Sequence, residues 1–153
     1  MATALSIQDA IESNFRVLFD ANVLIDGYSQ RSGGPVRDLI VRINPGQRFL
    51  TELVACEFLA PGVVPMQERK AREDWRKEMG IKYFEAISPH YIGSYVSLLS
   101  ISRARGGPVD LSLTAHSIAS GHKVVIATRD GDDFCWHGGV FVIREFLPDA
   151  ACR

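Results

Sequence analysis

The fold is decided by the stretch V-L-F-D-A-N-V-L-I-D, which runs from Val17 to Asp26. Its first three residues are apolar and lead directly into Asp20, a composition typical of a strand buried on both faces of a parallel sheet. Asp20 then lies at the carboxyl end of that strand, where open α/β sheets bind their ligands. Asn22 is a good N-cap and is expected to start the following helix. The alternative is that Asp20 only caps a turn.

Length and composition indicate one globular domain covering residues 1–153. A chain of 153 residues can bury a core without disulfides, and 23% charged residues is an ordinary fraction. The net charge of −1 means that any nucleic-acid binding would depend on local patches or on a bound metal. The sequence contains no evident signal peptide, no apolar run of membrane-spanning length and no CxxC pair. We therefore expect a cytoplasmic protein with reduced thiols and no membrane contact.

Strands alternate with helices along the chain. A short leading helix is predicted within residues 1–15, where Ser6 can cap it, and residues 27–35 are predicted to form a loop. Strands are predicted at residues 17–19, 48–53, 123–128 and 140–146, and helices at residues 36–43, 54–60 (opened by Thr51), from Pro65 onward, from Ser88 onward and at 110–120. The segment 81–87 is ambiguous between a helix end and a strand. This order predicts an α/β fold with three layers, α/β/α, around a mostly parallel central sheet.

For two of the predicted helices, the sequence also indicates which residues are exposed and which are buried. The helix after Pro65 interleaves six Lys and Arg residues with acids, which favours a solvated, ion-paired surface over a phosphate-binding one. Trp75 in that helix is expected to pack on a neighbour or on a partner chain and not to stack a base. In the helix after Ser88, a buried stripe is expected from residues at helical spacing, namely Ile92, Tyr95, Val96 and Leu99.

Four acidic residues are expected at one edge of the sheet. Asp20 and Asp130 closely follow strands, whereas Glu57 and Asp110 lie on helices that begin at the same edge. Converging carboxylates repel one another, so one or more must be protonated unless a cation lies between them. Mg²⁺ and Mn²⁺ prefer such oxygen ligands, and a carboxylate-bound ion can orient a phosphodiester and activate a water molecule for in-line attack.

The chain resembles a PIN-domain ribonuclease, and within that group the VapC-type toxins of bacterial toxin–antitoxin pairs. The resemblance is carried by four segments in the family's order, which together span nearly the whole chain. They are F-D-A-N-V-L-I-D around Asp20, T-E-L-V-A-C-E-F-L-A-P-G around Glu57, D-L-S-L-T-A-H-S-I-A-S-G from Asp110, and V-V-I-A-T-R-D-G-D-D-F from Val124.

This resemblance implies a Mg²⁺-dependent (or Mn²⁺-dependent) endoribonuclease. Asp20 and Asp110 would be the principal metal ligands, and Glu57 and Asp130 would complete the catalytic acidic cluster. The implied partners are an RNA substrate, a cognate antitoxin protein and a second copy of the chain in a homodimer. The family's alternatives are a non-catalytic PIN-like module that binds RNA or protein, and a PIN nuclease of RNA maturation.

Several residues around this cluster match supporting positions of the family or compete with its members. Asn22 and Thr128 match polar positions that orient the ligands by hydrogen bonds. Asp133 matches the ending of the last motif, and spacing leaves open whether Asp130 or Asp133 is the fourth acid, although Asp130 is favoured. Glu52 is the main competitor of Glu57. A zinc cluster of Cys135, His137 and His122 is disfavoured because tetrahedral ligand spacing is lacking.

Overall fold

A computed structural model describes residues 2–60, 62, 64–85, 88–101, 106–121 and 123–148. The strands in these residues are β1 (Thr3–Leu5), β2 (Arg16–Phe19), β3 (Arg48–Leu50), β4 (Lys82–Tyr83), β5 (Val124–Ala127) and β6 (Phe141–Ile143). They form a six-stranded sheet in the order β1-β6-β5-β2-β3-β4. Every strand pairing in the described part of the chain is parallel, which confirms the predicted α/β class.

Helices connect the strands, so the chain is compatible with a three-layer α/β/α arrangement. They are α1 (Ile7–Glu12), α2 (Ala21–Ser29), α3 (Pro35–Arg42), α4 (Glu52–Leu59), α5 (Met66–Glu78), α6 (Pro89–Leu99) and α7 (Pro108–Ala119). The main hydrophobic core surrounds β2 and β5, the two strands at the centre, whose apolar residues are almost entirely buried. Among the helices described, none has both the length and the apolar character needed to cross a bilayer.

Side-chain caps start the helices where short-range sequence chemistry predicts them. The hydroxyls of Ser6, Thr51 and Ser88 each accept a hydrogen bond from a backbone N–H in the first turn of the helix that follows. The start of α2 differs from the prediction, because Asp20 and not Asn22 is its N-cap. The strand therefore passes directly into the helix at Asp20, without the intervening turn that an Asn22 cap would need.

Four boundaries in the structure correct the sequence assignments. The leading segment contains α1 as expected, but also β1, which pairs with β6 and is too short to show a sequence pattern. The predicted loop 27–35 is wrong at its start, since α2 continues to Ser29. Gly27 lets α2 and α3 pack closely, because a Cβ at this position would lie 2.6 Å from Ile40 Cδ1. The strands predicted at 48–53 and 140–146 end earlier, at Leu50 and Ile143.

The charged helix α5 is ion-paired as predicted, but only part of its charge is solvated. Lys70 pairs with Asp74 at 2.9 Å on the exposed side. Arg72 pairs with Glu68 at 3.4 Å but is largely covered, and its guanidinium lies over the rings of Tyr28 and Phe58. Trp75 is buried on the opposite side, against the rings of Tyr28 and Phe58. The expectation that Trp75 packs on a neighbour is thus confirmed.

The buried stripe predicted for α6 is wrong at three of its four residues, since only Tyr95 is partly buried against the neighbouring cluster. Ile92, Val96 and Leu99 are 53%, 57% and 55% exposed, whereas Tyr91 and Leu98 are buried against α7. Because α6 carries apolar residues on two faces, helical spacing alone could not decide which face turns inward.

The expectation of reduced thiols is also wrong for Cys135, which is disulfide-bonded, whereas Cys56 is free and exposed.

Arg48 is a buried cation that holds the ends of two helices. Its guanidinium donates hydrogen bonds to the carbonyl oxygens of Ile43 (2.8 Å) and Val41 (3.1 Å), at the end of α3. A third bond, of 2.6 Å, reaches the carbonyl of Met79 at the end of α5. Burial lowers the pKa of Arg48, and the three carbonyl dipoles compensate for the loss of water around its charge.

We expect Arg48→Met to lower the free energy of unfolding by about 3 kcal/mol, because it leaves three carbonyl groups without a donor. Arg144→Met is the matched control, since Arg144 is exposed and donates a single bond to the Ala4 carbonyl. The control should change stability by less than about 1 kcal/mol. Urea unfolding of both variants measures the difference, and equal losses would show that Arg48 does not join the helix ends.

Candidate active site at the carboxyl edge of the sheet

The centre of the site is a hydrogen bond between the ends of the two central strands. β2 and β5 pair in register up to Phe19 and Ala127, so Asp20 and Thr128 leave the sheet side by side. The Thr128 hydroxyl donates to Asp20 Oδ2 at 2.9 Å, and the Ala21 N–H donates to Asp20 Oδ1 at 2.8 Å. Asp20 is only 5% exposed, and this burial raises its pKa to about 6 in spite of both hydrogen bonds.

A polar network fixes the loop after β5 to the start of α2. Asn22 donates weakly to Thr128 Oγ1 at 3.5 Å and accepts from the Arg129 N–H at 3.2 Å. Thr128 Oγ1 also accepts from the Asp130 N–H at 3.0 Å. Asp26 lies within α2 and pairs with the Arg129 guanidinium at 2.6 Å. Asn22 and Thr128 therefore hold the strand ends and Asp20 in one arrangement.

Asp110 lies in the first turn of α7, as the sequence predicts. Its Oδ2 accepts a hydrogen bond of 3.0 Å from the Gly107 N–H, at the start of the helix. Gly106 adopts a positive φ of 89°, and a Cβ there would lie 2.7 Å from the Cβ of Asp110. Burial raises the pKa of Asp110, and repulsion from Asp20 and Glu57 raises it further. The charge of Asp20 thus acts on Asp110 at this edge of the sheet.

Asp133 is the acid of the 130–133 loop that interacts with this pair. Its pKa is raised to about 6 by burial, and then by repulsion from Asp110 and Asp130. Asp133 also raises the pKa of Asp20, whereas the exposed Asp130 acts on Asp133. The sequence favoured Asp130, but the charge contacts favour Asp133 as the fourth acid. The signal that could have found it is the D-D-F ending of the last motif.

The remaining candidates occupy separate places around this edge. Glu57 is exposed on α4, and its charge raises the pKa of both Asp20 and Asp110. Glu52, its competitor, starts the same helix and lines a neighbouring cavity instead. His122, considered for a zinc cluster, lies outside the described residues.

The donor atoms of this site fit a hard divalent cation in type. Asp20, Asp110 and Asp133 all have raised pKa values, mainly because burial and neighbouring carboxylates disfavour their negative charge. In the residues that the structure describes, no group of three or more His, Cys, Asp or Glu residues forms a cage for a metal ion. Mg²⁺ is usually held by one or two carboxylates and retains several waters, so the carboxylates of Asp20 and Asp110 suit it without a closed cage.

No family model matches this chain, and a search of curated proteins finds no match. An assignment of function therefore has to be argued from the residues of the site.

Asp20→Asn should stabilise the metal-free protein at pH 7, by about 3 kcal/mol for a shift of this size. Burial raises the pKa of Asp20 from 3.8 to about 6, so folding favours the protonated acid. The stability that this proton contributes is complete below about pH 4 and is lost as the pH rises through about 6. The advantage of the uncharged variant should therefore grow over that interval.

Thermal unfolding in chelator between pH 4 and 7 measures this difference. Asp132→Asn is the control, since Asp132 is exposed in the same loop as Asp133. A difference between wild type and Asp20→Asn that stays constant with pH would contradict the burial of a charge at Asp20.

Proposed function

We propose that the protein is a metal-dependent endoribonuclease of the PIN type, using Mg²⁺ or Mn²⁺ to hydrolyse RNA phosphodiester bonds. The observation that carries the proposal is the buried carboxyl group of Asp20, which Thr128 holds at the carboxyl edge of the sheet and whose charge raises the pKa of Asp110. Clusters of titratable groups with perturbed pKa values are typical of functional sites. The four sequence segments that resemble the PIN family place their acids at this edge.

Different residues of the chain would have different roles in such a reaction. Asp20 and Asp110 would hold the ion, which when bound lowers the pKa of water and neutralises charge on the phosphate. Thr128 keeps the Asp20 carboxylate oriented through its hydroxyl, and Asn22 fixes the loop that carries Thr128. Glu57 is exposed and its charge raises the pKa of both ligands, and it would orient the attacking water or accept its proton. Asp133 would add a further carboxyl group to the site.

The biological role that we propose is that of the toxin in a toxin–antitoxin pair. The support is the resemblance to VapC-type toxins over most of the chain. In this role the protein would act in the cytoplasm as a homodimer and bind a cognate antitoxin.

Asp20→Asn and Asp110→Asn should each reduce metal-dependent RNA cleavage by at least about 100-fold, because each removes a charge that holds the ion. Assorted RNAs incubated with Mg²⁺, and in parallel with chelator, provide the assay. Asp132→Asn should retain wild-type activity, and Asp133→Asn should lose more than Asp130→Asn. Circular dichroism checks that each variant is folded.

Full activity in either ligand variant, or cleavage that persists in chelator, would overturn this mechanism. Titration of the wild type with Mn²⁺ by calorimetry separates the enzyme from a non-catalytic PIN-like module. The enzyme should bind the ion with an affinity that Asp20→Asn weakens, whereas absence of binding would favour the module.

Induced alone in bacteria, the wild-type protein should arrest growth, because it degrades RNA. Asp20→Asn should remove the effect, and co-expression of a small protein encoded beside it should restore growth in the wild type. Colony counts and culture density after induction measure both results. Normal growth with active nuclease in the cell extract would reject the toxin role and leave the nuclease intact.

A further inference from the structure

A cavity of about 320 Å³ lies beside the acidic site. Thr51, which lines it, directly follows β3, the strand next to β2, and Phe84 directly follows β4, the edge strand beyond β3. Adjacent strands are about 5 Å apart, so the cavity begins one strand away from Asp20. Its opposite wall is α7, where the lining residue Ser112 is two positions after Asp110. The cavity and the acidic site therefore share one edge of the sheet and one helix.

Flat rings form the wall on the α6 and α7 side. The imidazole of His116 stacks on Tyr91 with the ring centroids 3.9 Å apart and an interplanar angle of 11°. Phe84 meets the same imidazole edge-on, at 5.2 Å and 87°. The Tyr91 hydroxyl is 2.6 Å from Ser112 Oγ, and this hydrogen bond fixes the stack. These contacts present a preformed wall of rings to the cavity.

His116 has hydrogen-bonding capacity that the protein does not use. It is only 6% exposed, yet no described residue hydrogen-bonds to its ring nitrogens. Among the described residues, every fully buried side-chain nitrogen or oxygen has a hydrogen-bond partner. The ring nitrogens of His116 have none and are therefore not fully buried, so the imidazole is open to the cavity that it lines. Burial lowers the pKa of His116 to about 4, and the neutral ring offers one N–H donor and one acceptor nitrogen at pH 7.

The charged part of the lining is acidic. Glu52, in the first turn of α4, and Glu85, after β4, are both exposed and contribute carboxylates to the cavity. Carboxylates repel a phosphate and accept hydrogen bonds from amino groups. An uncharged ligand with N–H donors therefore fits this lining better than the RNA backbone does.

We propose that the cavity binds one nucleobase of the RNA whose phosphate lies at the acidic site, and that it prefers bases with an exocyclic amino group. The proposal rests on the proposed ribonuclease function. Ligand cavities in proteins begin at about 300 Å³, so this one fits a single planar heterocycle. Proteins that recognise single-stranded RNA place bases against aromatic side chains and hydrogen-bond to their edges. Adenine, cytosine and guanine present an amino group to the carboxylates, and uracil does not.

Cytidine and uridine are the matched pair of probes, because they differ at the amino-bearing edge of the base. Their binding is measured at millimolar concentration by NMR, in chelator and without metal, with ribose as a third probe. Cytidine should bind about 10-fold more tightly than uridine, the discrimination of one base-edge hydrogen bond, and ribose should not bind. Equal binding of cytidine and ribose would overturn the proposal.

Two variants assign the binding to the cavity. His116→Phe keeps a ring in the stack but removes its hydrogen bonds, and should weaken cytidine binding about 10-fold. The double variant Glu52→Gln, Glu85→Gln changes exposed side chains and should reduce the preference for cytidine over uridine. His90→Gln, at an exposed position of α6 outside this cavity, should bind as the wild type does. Unchanged binding in both variants would overturn the proposal, and thermal unfolding checks that they fold.

Nucleoside binding in chelator is independent of RNA cleavage, so the two proposals can fail separately. If cytidine binds as described and no RNA is cleaved with Mg²⁺, the nuclease is rejected and the base cavity stands. If RNA is cleaved and no nucleoside binds, the base cavity alone is rejected.

Discussion

The hydrogen bond from Thr128 to Asp20 is the contact on which the rest of the site depends. It exists because β2 and β5 are paired in register, and a slip of one residue would turn each side chain to the other face of the sheet. The two carboxylate oxygens of Asp20 have different partners, since one caps α2 and the other accepts from Thr128. Capping and site formation are therefore combined in one residue, although the sequence presented them as alternatives.

The acidic site lowers the stability of the metal-free protein. Asp20 is buried, and its closest charges include other carboxylates, so ionising it costs free energy that folding elsewhere must offset. The chain maintains this arrangement with hydrogen bonds to Asp20 and Asp110 and with the Arg129–Asp26 ion pair beside them. Local destabilisation of this kind is typical of functional sites, which agrees with the metal site that we propose.

Features that depend on neighbouring residues could be predicted from the sequence, and features that depend on distant packing could not. The parallel sheet follows from buried apolar strands, and the caps at Thr51 and Ser88 follow from local chemistry. The meeting of Asp20 and Asp110 follows from the shared edge of a parallel sheet. The inward face of α6 and the stack on His116 are set by how α6 lies on α7, and no spacing in the sequence encodes that choice.

The pairing of β1 with β6 has a consequence for the order in which the protein folds. Thr3 lies opposite Phe141, so β1 can pair only after a segment well over a hundred residues further along the chain has been made. The central pair is also formed by strands about a hundred residues apart, between Arg16 and Val124 at its start. Loop closure of this length makes folding slow and leaves strand edges open in the nascent chain. The sheet is therefore complete only when β6 has joined β1, and until then chaperones or early partners can reach those edges.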